Sequence, residues 1–284
     1  MLPPDNHVHT EWSWDARAGS MARSCARAIA AGLAAIAFTE HFDITRWVVA
    51  PKLQATLRVH AHLVDKDDHL RPPPLDVGGY LECIERCREQ YPQLRILTGV
   101  ELGEPHWFDT PVQRVLAVGE FDRVLGSLHS IRVGGDAWIM DEAFADYGPD
   151  PLHPHDTVRA YLHEALRMVE SPAAFQVLAH IDYPARHWPH RAGPFPLAAL
   201  EDEHRAVLRA LAGSGRALEV NTRLPLAPEV LRWWVEEGGE AVSFGSDAHA
   251  PAAVAHGFAA AAAMAEAHGF RRGRHPHDFW VRRG

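Results

Sequence analysis

The run Asp5-Asn6-His7-Val8-His9-Thr10 is a short β-type stretch that finishes on two histidines. An i, i+2 spacing puts both imidazoles on one face of a strand, close enough to grip one cation. The same H-x-H spacing recurs at His60/His62, His153/His155 and His275/His277, in Pro-rich or irregular surroundings where no strand fixes the geometry. Those three pairs are expected to be solvated loop histidines, with His153 and His155 the exception to watch because their loop can overhang a site. What sets the first run apart is its company. Six further β-rich runs follow, Ala35 to Phe38, Ile96 to Glu101, Arg123 to Leu128, Phe175 to His180, Ala217 to Asn221 and Ala241 to Ser246. Each leads into potential ligands: Thr39-Glu40-His41, Gly99-Val100-Glu101, Ser127-Leu128-His129, Ala179-His180-Ile181-Asp182, Glu219-Val220-Asn221 and Ser246-Asp247-Ala248-His249.

Between the runs lie amphipathic or Ala-rich stretches of helical length: Ser20 to Ala31, Gly79 to Gln90, Thr157 to Val169, Ala198 to Ala212, Pro228 to Glu236 and Ala252 to His268. Alternation of strand and helix implies right-handed βαβ crossovers and a parallel sheet. Seven such strands in 284 residues predict an α/β fold, a distorted TIM-barrel-like (β/α)7 barrel forming one domain over residues 1–284. In such a barrel all strand C-termini surround one mouth, where catalytic groups sit, so the scattered ligand-type residues converge on one site. Two segments break the rhythm, about 43–77 with Arg71-Pro72-Pro73-Pro74 and about 130–154 with Gly134-Gly135 and Gly148-Pro149-Asp150-Pro151. Both read as long loops, longer than a compact barrel needs for connection, and are expected to serve as a lid or substrate wall.

Composition narrows the function. The 28 Lys and Arg against 37 Asp and Glu leave a formal charge of -9, so the chain carries no basic footprint for long nucleic acid or an anionic membrane. The first residues, Met1-Leu2-Pro3-Pro4-Asp5, lack the regions of a signal peptide, and no apolar run approaches the ~18 residues of a membrane span, which predicts a cytoplasmic protein without a membrane partner. Cys25, Cys83 and Cys87 form no C-x-x-C pair and no even-numbered framework, and read as ordinary buried thiols. Histidine is the outlier at 20 residues, and it is both the commonest metal ligand and the natural proton carrier near neutrality.

The ordered segments Asp5-Asn6-His7-Val8-His9-Thr10 with Asp15, Thr39-Glu40-His41, Gly99-Val100-Glu101, Gly126-Ser127-Leu128-His129, Ala179-His180-Ile181-Asp182 and Gly245-Ser246-Asp247-Ala248-His249 resemble the PHP family, named for polymerase and histidinol phosphatase. The resemblance covers nearly the whole chain, and the length is similar to that of the stand-alone histidinol-phosphate phosphatases of that family. It implies a distorted seven-stranded barrel holding up to three divalent ions, of zinc, iron or manganese. It also implies one metal on His7, His9, Glu101 and Asp247, a second on Glu101, His129 and His180, and a third on Asp15, His41 and His249. One departure stands out: the Trp-x-x-Asp pattern that this branch shows shortly after the strand-four histidine arrives late here, as Trp138-Ile139-Met140-Asp141 behind Gly134-Gly135.

The chemistry follows from charge. Three divalent cations against Asp15, Glu101 and Asp247 leave a positive excess that a phosphomonoester dianion matches and a neutral amide does not. Clustered cations also lower the pKa of water from 15.7 toward ~7, which supplies a nucleophile without serine or cysteine. The expectation is a metal-dependent phosphatase acting on a small phosphorylated substrate, with L-histidinol phosphate the first candidate. Asp247 and His249 are placed to orient the attacking water or relay a proton, and Arg186 and Arg223 to bind phosphate. Asp141 or Glu142 would meet an ammonium group, Trp12 and Trp14 would wall the pocket, and Glu40 and Asp182 would accept from ligand imidazoles. The alternatives are a family phosphodiesterase or nucleotide phosphatase, an amidohydrolase-type barrel, disfavoured because strand four ends in His129 rather than Lys or a carboxylate, and a metal-retaining module without catalysis.

Overall fold

The computed structural model describes residues 2–49, 61–144 and 153–282, with residues 61, 141 and 142 as backbone only. Seven strands, β1 (Asp5–Val8), β2 (Ala35–Phe42), β3 (Arg95–Gly103), β4 (Arg123–Ser127), β5 (Val177–Leu178), β6 (Ala217–Asn221) and β7 (Ala241–Gly245), lie side by side in chain order and run parallel. The backbone just past β7 returns to β1: the Asp247 N–H donates to His7 O (2.8 Å), the His9 N–H donates to Ala248 O (2.9 Å), and Val8 bridges Ala248 in parallel. The fully buried Asp5 carboxylate locks this seam, accepting from Ser246 N (2.9 Å), Ser246 Oγ (2.6 Å) and Ala255 N (3.0 Å). Burial pushes its pKa up to about 6 in spite of those bonds. Two short antiparallel strands, Phe270–Arg271 and Trp280–Arg282, extend the sheet beyond β7.

Among the described residues, seven helices of nine residues or more follow the strands: α1 (Met21–Ala30), α2 (Val77–Gln90), α3 (Asp109–Val118), α4 (Pro154–Glu170), α5 (Glu201–Gly213), α6 (Pro228–Glu236) and α7 (Phe258–Ala267). Their starts are written in the chain. Asp76 Oδ1 caps α2 by accepting from Gly79 N at 3.0 Å, Ser20 caps α1, and proline opens α4 and α6 where its missing N–H costs nothing. The α3 helix has no counterpart in the sequence reading, because it buries only Val112 and Val115 and its apolar stripe is thin.

With helices outside and side chains filling the barrel, strand residues are buried on both faces; every residue of β3 after Arg95 is buried. Tyr80 of α2 staples the wall, donating to Phe38 O and accepting from Gly99 N, each at 2.8 Å. Phe244 and Trp280 meet edge to face at 4.9 Å, a geometry worth about 0.5–1.5 kcal/mol beyond the area it buries. Cys25, Cys83 and Cys87 are free, buried and part of the same core, as their sequence context predicts.

The two segments expected to be long loops are not structureless. Their described parts build one four-stranded sheet in the order His69–Leu70, Trp47–Val48, Asp136–Ile139, Ser130–Val133. Only the central pair, Trp47–Val48 with Asp136–Ile139, is parallel, and it joins one segment to the other. Strands of two to four residues are too short to display a period of two, so the sequence reads as loop. The sheet has a small apolar cluster of its own, Trp47, Val49 and Leu70, packed by Trp14, Ala137 and Ile139.

Candidate metal centre and active site

The strand ends deliver their ligand-type side chains to one place. His7 and His9, on one face of β1 and its continuation, bring their Nε2 atoms within 3.0 Å of each other. Both face Glu101 Oε2, at 3.2 and 3.3 Å, and Asp247 Oδ1, at 3.9 and 3.6 Å. The other oxygen of Glu101 receives His129 Nε2 at 3.2 Å and His180 Nε2 at 2.9 Å. Asp15 takes His41 Nε2 at 3.4 Å on Oδ1 and His249 Nε2 at 3.0 Å on Oδ2. All nine residues expected to bind metal therefore meet, in a cluster that interleaves rather than divides: the tight donor triads are His7/His9/Glu101, His7/His180/Asp247, His41/Glu101/His129 and His9/His41/His249. Two of these nine residues, His180 (φ 24°) and Asp247 (φ 52°), have left-handed backbones, a strain of ~1–3 kcal/mol each that active sites commonly store.

The donor set fits divalent ions. Glu101 Oε2 and Asp15 Oδ1 are buried without a hydrogen-bond partner, as is His41 Nδ1, and a cluster of imidazoles and carboxylates is the chemistry that zinc, iron or manganese shares. Electrostatics agree. Burial opposes the charge on Glu101, yet His7, His41 and His129 hold its carboxyl well below the usual range. Asp247 is held low against burial by Arg186, His7, His249 and Arg223, and Asp15 by His41 and His249. Conversely, burial disfavours the charged imidazoles, but the surrounding carboxylates push His7, His41 and His129 well above the ordinary histidine value. His9 is pushed well below it, by burial and by its neighbours His41 and His249.

A surrounding set of acceptors fixes the imidazoles, and here the sequence reading needs correction. Glu219 Oε1 lies 2.6 Å from His7 Nδ1, and Asp43 Oδ1 lies 3.0 Å from His129 Nδ1. Close approach at both positions depends on glycine: a Cβ on Gly245 would fall 2.1 Å from Glu219 Oε1, and one on Gly103 2.1 Å from Asp43 Oδ1. Glu40 touches no ligand imidazole; it accepts from Thr10 and from Ser13 Oγ, and it is Ser13 that meets His9 Nδ1 at 3.0 Å. Asp182 hydrogen-bonds none either; both its oxygens are buried without a hydrogen-bond partner, and its pKa is pushed up to about 6 by burial. Asn221 ends β6 but holds Glu219, its Nδ2 donating to Oε2 at 3.0 Å.

A cavity of about 430 Å³ opens on the cluster, lined by Asp15, His41, Glu101, His129, His180, Asp247 and His249. Both expected arginines line it. The Arg186 side chain is 9% exposed, with Nη1 on Asp247 Oδ2 at 2.5 Å, and its Nε and Nη2 have no hydrogen-bond partner. Arg223 is half-exposed, with Nη1 3.3 Å from Asp247 Oδ1 and 3.0 Å from His249 Nδ1. Of the two tryptophans, Trp14 lines the cavity, whereas Trp12 packs against the barrel core. His153 caps α4 and, with His155, stays outside the cavity; His275 and His277 stack on each other elsewhere. His60 and the side chains of Asp141 and Glu142 lie outside the described residues.

The comparisons with known proteins meet the geometry at this point. The PHP domain profile matches residues 5–223. The histidinol-phosphatase of Lactococcus lactis subsp. lactis is 26% identical over 253 residues, spanning 86% of this chain and 83% of its own. A protein of Deinococcus radiodurans named probable histidinol-phosphatase is 27% identical over 271 residues, 89% of each chain. In fold, the chain is similar to a crystal structure of histidinol phosphate phosphatase from the same Lactococcus strain, complexed with zinc, L-histidinol and phosphate, with a TM-score of 0.73 at 22% identity over 95% of both chains. Its profile match extends over well more than half of the sequence, and the protein belongs to the PHP domain family.

Proposed function

We propose that the protein is a metal-dependent phosphomonoesterase that hydrolyses L-histidinol phosphate to L-histidinol and phosphate. One observation carries the reading: seven of the nine metal-type donors and two guanidinium groups line one cavity of about 430 Å³, with His7 and His9 directly behind Glu101. The names of the similar proteins from Lactococcus and Deinococcus support the substrate. His7, His9, Asp15, His41, Glu101, His129, His180, Asp247 and His249 would hold up to three divalent ions, of zinc, iron or manganese. When bound, such ions supply Lewis acidity toward the phosphoryl oxygens and an acidified water.

The chain's own residues do the rest. The free Nε and Nη2 of Arg186, with Arg223 across Asp247, present fixed donors to the equatorial phosphate oxygens. Asp247 orients the attacking water, and its ion pair with Arg186 keeps its carboxylate aimed at the cavity. His249, held between Asp15 and Arg223, lines the same cavity and helps to orient that water. The chain works as a single cytoplasmic unit over residues 1–284, its two insertions walling the site. Among the described residues no helix is long and apolar enough to cross a membrane.

The test is phosphate release from L-histidinol phosphate beside a panel of other mono- and diesters, using protein of known metal content with and without chelator. Chelator-sensitive turnover with its highest kcat/KM on L-histidinol phosphate is expected. Preference for a diester or a nucleotide would replace the substrate, and full metal content without turnover of any ester would reduce the protein to a metal-retaining module.

A further inference from the structure

Beyond the metal-type donors, the arginines and Asp43, six side chains line the cavity, Tyr183, His187 and Leu224 among them. Trp14, Trp47 and Ile139 are the other three, and the latter two come from the insertion sheet. Trp47 pairs with Ala137, two residues before Ile139, so Trp47, Ala137 and Ile139 share one face of that sheet. Trp14 adds its ring to the same cluster, 5.9 Å from Trp47 and tilted by 41°. This cluster is also tied to the metal centre. Trp14 Nε1 donates to Asp43 Oδ2 at 2.9 Å, while the other oxygen of Asp43 holds the ring of His129. Its position is thereby tied to the ring of His129, and Arg186 and Arg223 contact Asp247 in the same cavity.

Trp47 carries a second signal. It is 1% exposed, yet its indole N–H has no hydrogen-bond partner. A buried tryptophan N–H normally finds an acceptor, and that of Trp47, a residue of the cavity lining, is left without one among the described residues. Two tilted indoles and an aliphatic side chain offer flat apolar contact, and the unpaired N–H adds a demand for an acceptor.

We propose that the insertion sheet builds the leaving-group subsite of the enzyme, with Trp47, Trp14 and Ile139 selecting a flat heteroaromatic ring that bears a hydrogen-bond acceptor on the alcohol side of the phosphate ester. This rests on the phosphomonoesterase reading above, and a neutral imidazole is one ring of that class. Trp47 and Ile139 are specificity residues: they act on which ester is turned over, not on the bond that breaks.

The test compares kcat/KM for L-histidinol phosphate with that for an aliphatic monoester, ethanolamine phosphate, in the wild type, Trp47→Leu, Trp47→Phe and Ile139→Ala. The heteroaromatic-to-aliphatic ratio should fall ~10- to 100-fold in Trp47→Leu, mainly through KM, and less in Ile139→Ala, with metal content unchanged. Trp47→Phe, which keeps a ring and lacks the N–H, should fall between the wild type and Trp47→Leu. An unchanged ratio in Trp47→Leu and Ile139→Ala, whether both esters fall together or neither falls, would overturn the proposal. Should the wild type ignore L-histidinol phosphate but cleave other monoesters, the substrate reading fails while the subsite does not. Pyridylmethyl phosphate then replaces L-histidinol phosphate in the same ratio, and the same two outcomes decide.

Discussion

The barrel and the insertion sheet meet at one cavity and are built in opposite ways. The barrel is deep and cooperative, its strand ends carrying charge; the sheet is shallow, with a core of three buried side chains and strands of two to four residues. The barrel can hold two left-handed ligand positions and a ring of buried imidazoles because a large apolar core offsets their cost. The sheet could not, and it contributes apolar contact instead. Chemistry and selectivity thus sit on scaffolds of different stability, which lets one change without the other.

The largest expected effect strikes the barrel's contribution. Glu101 touches His7, His9, His41, His129 and His180, so Glu101→Gln should lower kcat by about a thousandfold or more and release bound metal, as read by steady-state kinetics and metal analysis. One step outward, Glu219→Gln should weaken metal affinity ~10- to 100-fold while the fold is retained, which competition with a chelator would measure. Equal losses from both would erase the distinction between holding a metal and orienting its holder.

The two cores separate next. Leu218 of β6 is fully buried in the barrel, and Leu218→Ala should cost about 2–5 kcal/mol of global stability in chemical denaturation. Leu70→Ala in the sheet should cost less globally and show instead as faster hydrogen exchange of Trp47 and Val48. A global loss as large as that of Leu218→Ala would mean that sheet and barrel unfold as one.

The smallest effect concerns protons. Without metal, the carboxylates around them keep His7, His41 and His129 protonated above the ordinary histidine range, so metal loading near pH 7 should release about three protons. Affinity should rise with pH accordingly. Calorimetry in buffers of different ionisation enthalpy reads the count, and a count of zero would place these imidazoles neutral before the metal arrives.

How much of this was readable in the chain differs by region for the same reasons. The barrel announced itself because each strand pairs a β-rich run with a potential ligand at its end, while the choice of nine donors among those residues, with Asp15 added, came from the resemblance to the PHP family. Glu219 and Asp43 escaped because their partners, His7 and His129, lie 212 and 86 residues away, and only closure of the barrel shows which carboxylate stands behind which ring. Glu40 and Asp182 misled because adjacency in sequence says nothing about the side of the backbone a carboxylate takes. The insertion strands are too short for any periodicity, so nothing in the sequence singles out Trp47.

The closure of β1 onto the end of β7 also sets an order of events during synthesis. Asp15 and His249, 3.0 Å apart when folded, are separated by 234 residues of chain. A ribosome has therefore translated all seven strands before the last donors exist, and an arrested or clipped product would expose β1 and its histidines with nothing to coordinate against. Asp247 and His249 are thus the last donors to be synthesised, and a product that stops before them leaves the groups His7/His180/Asp247 and His9/His41/His249 incomplete.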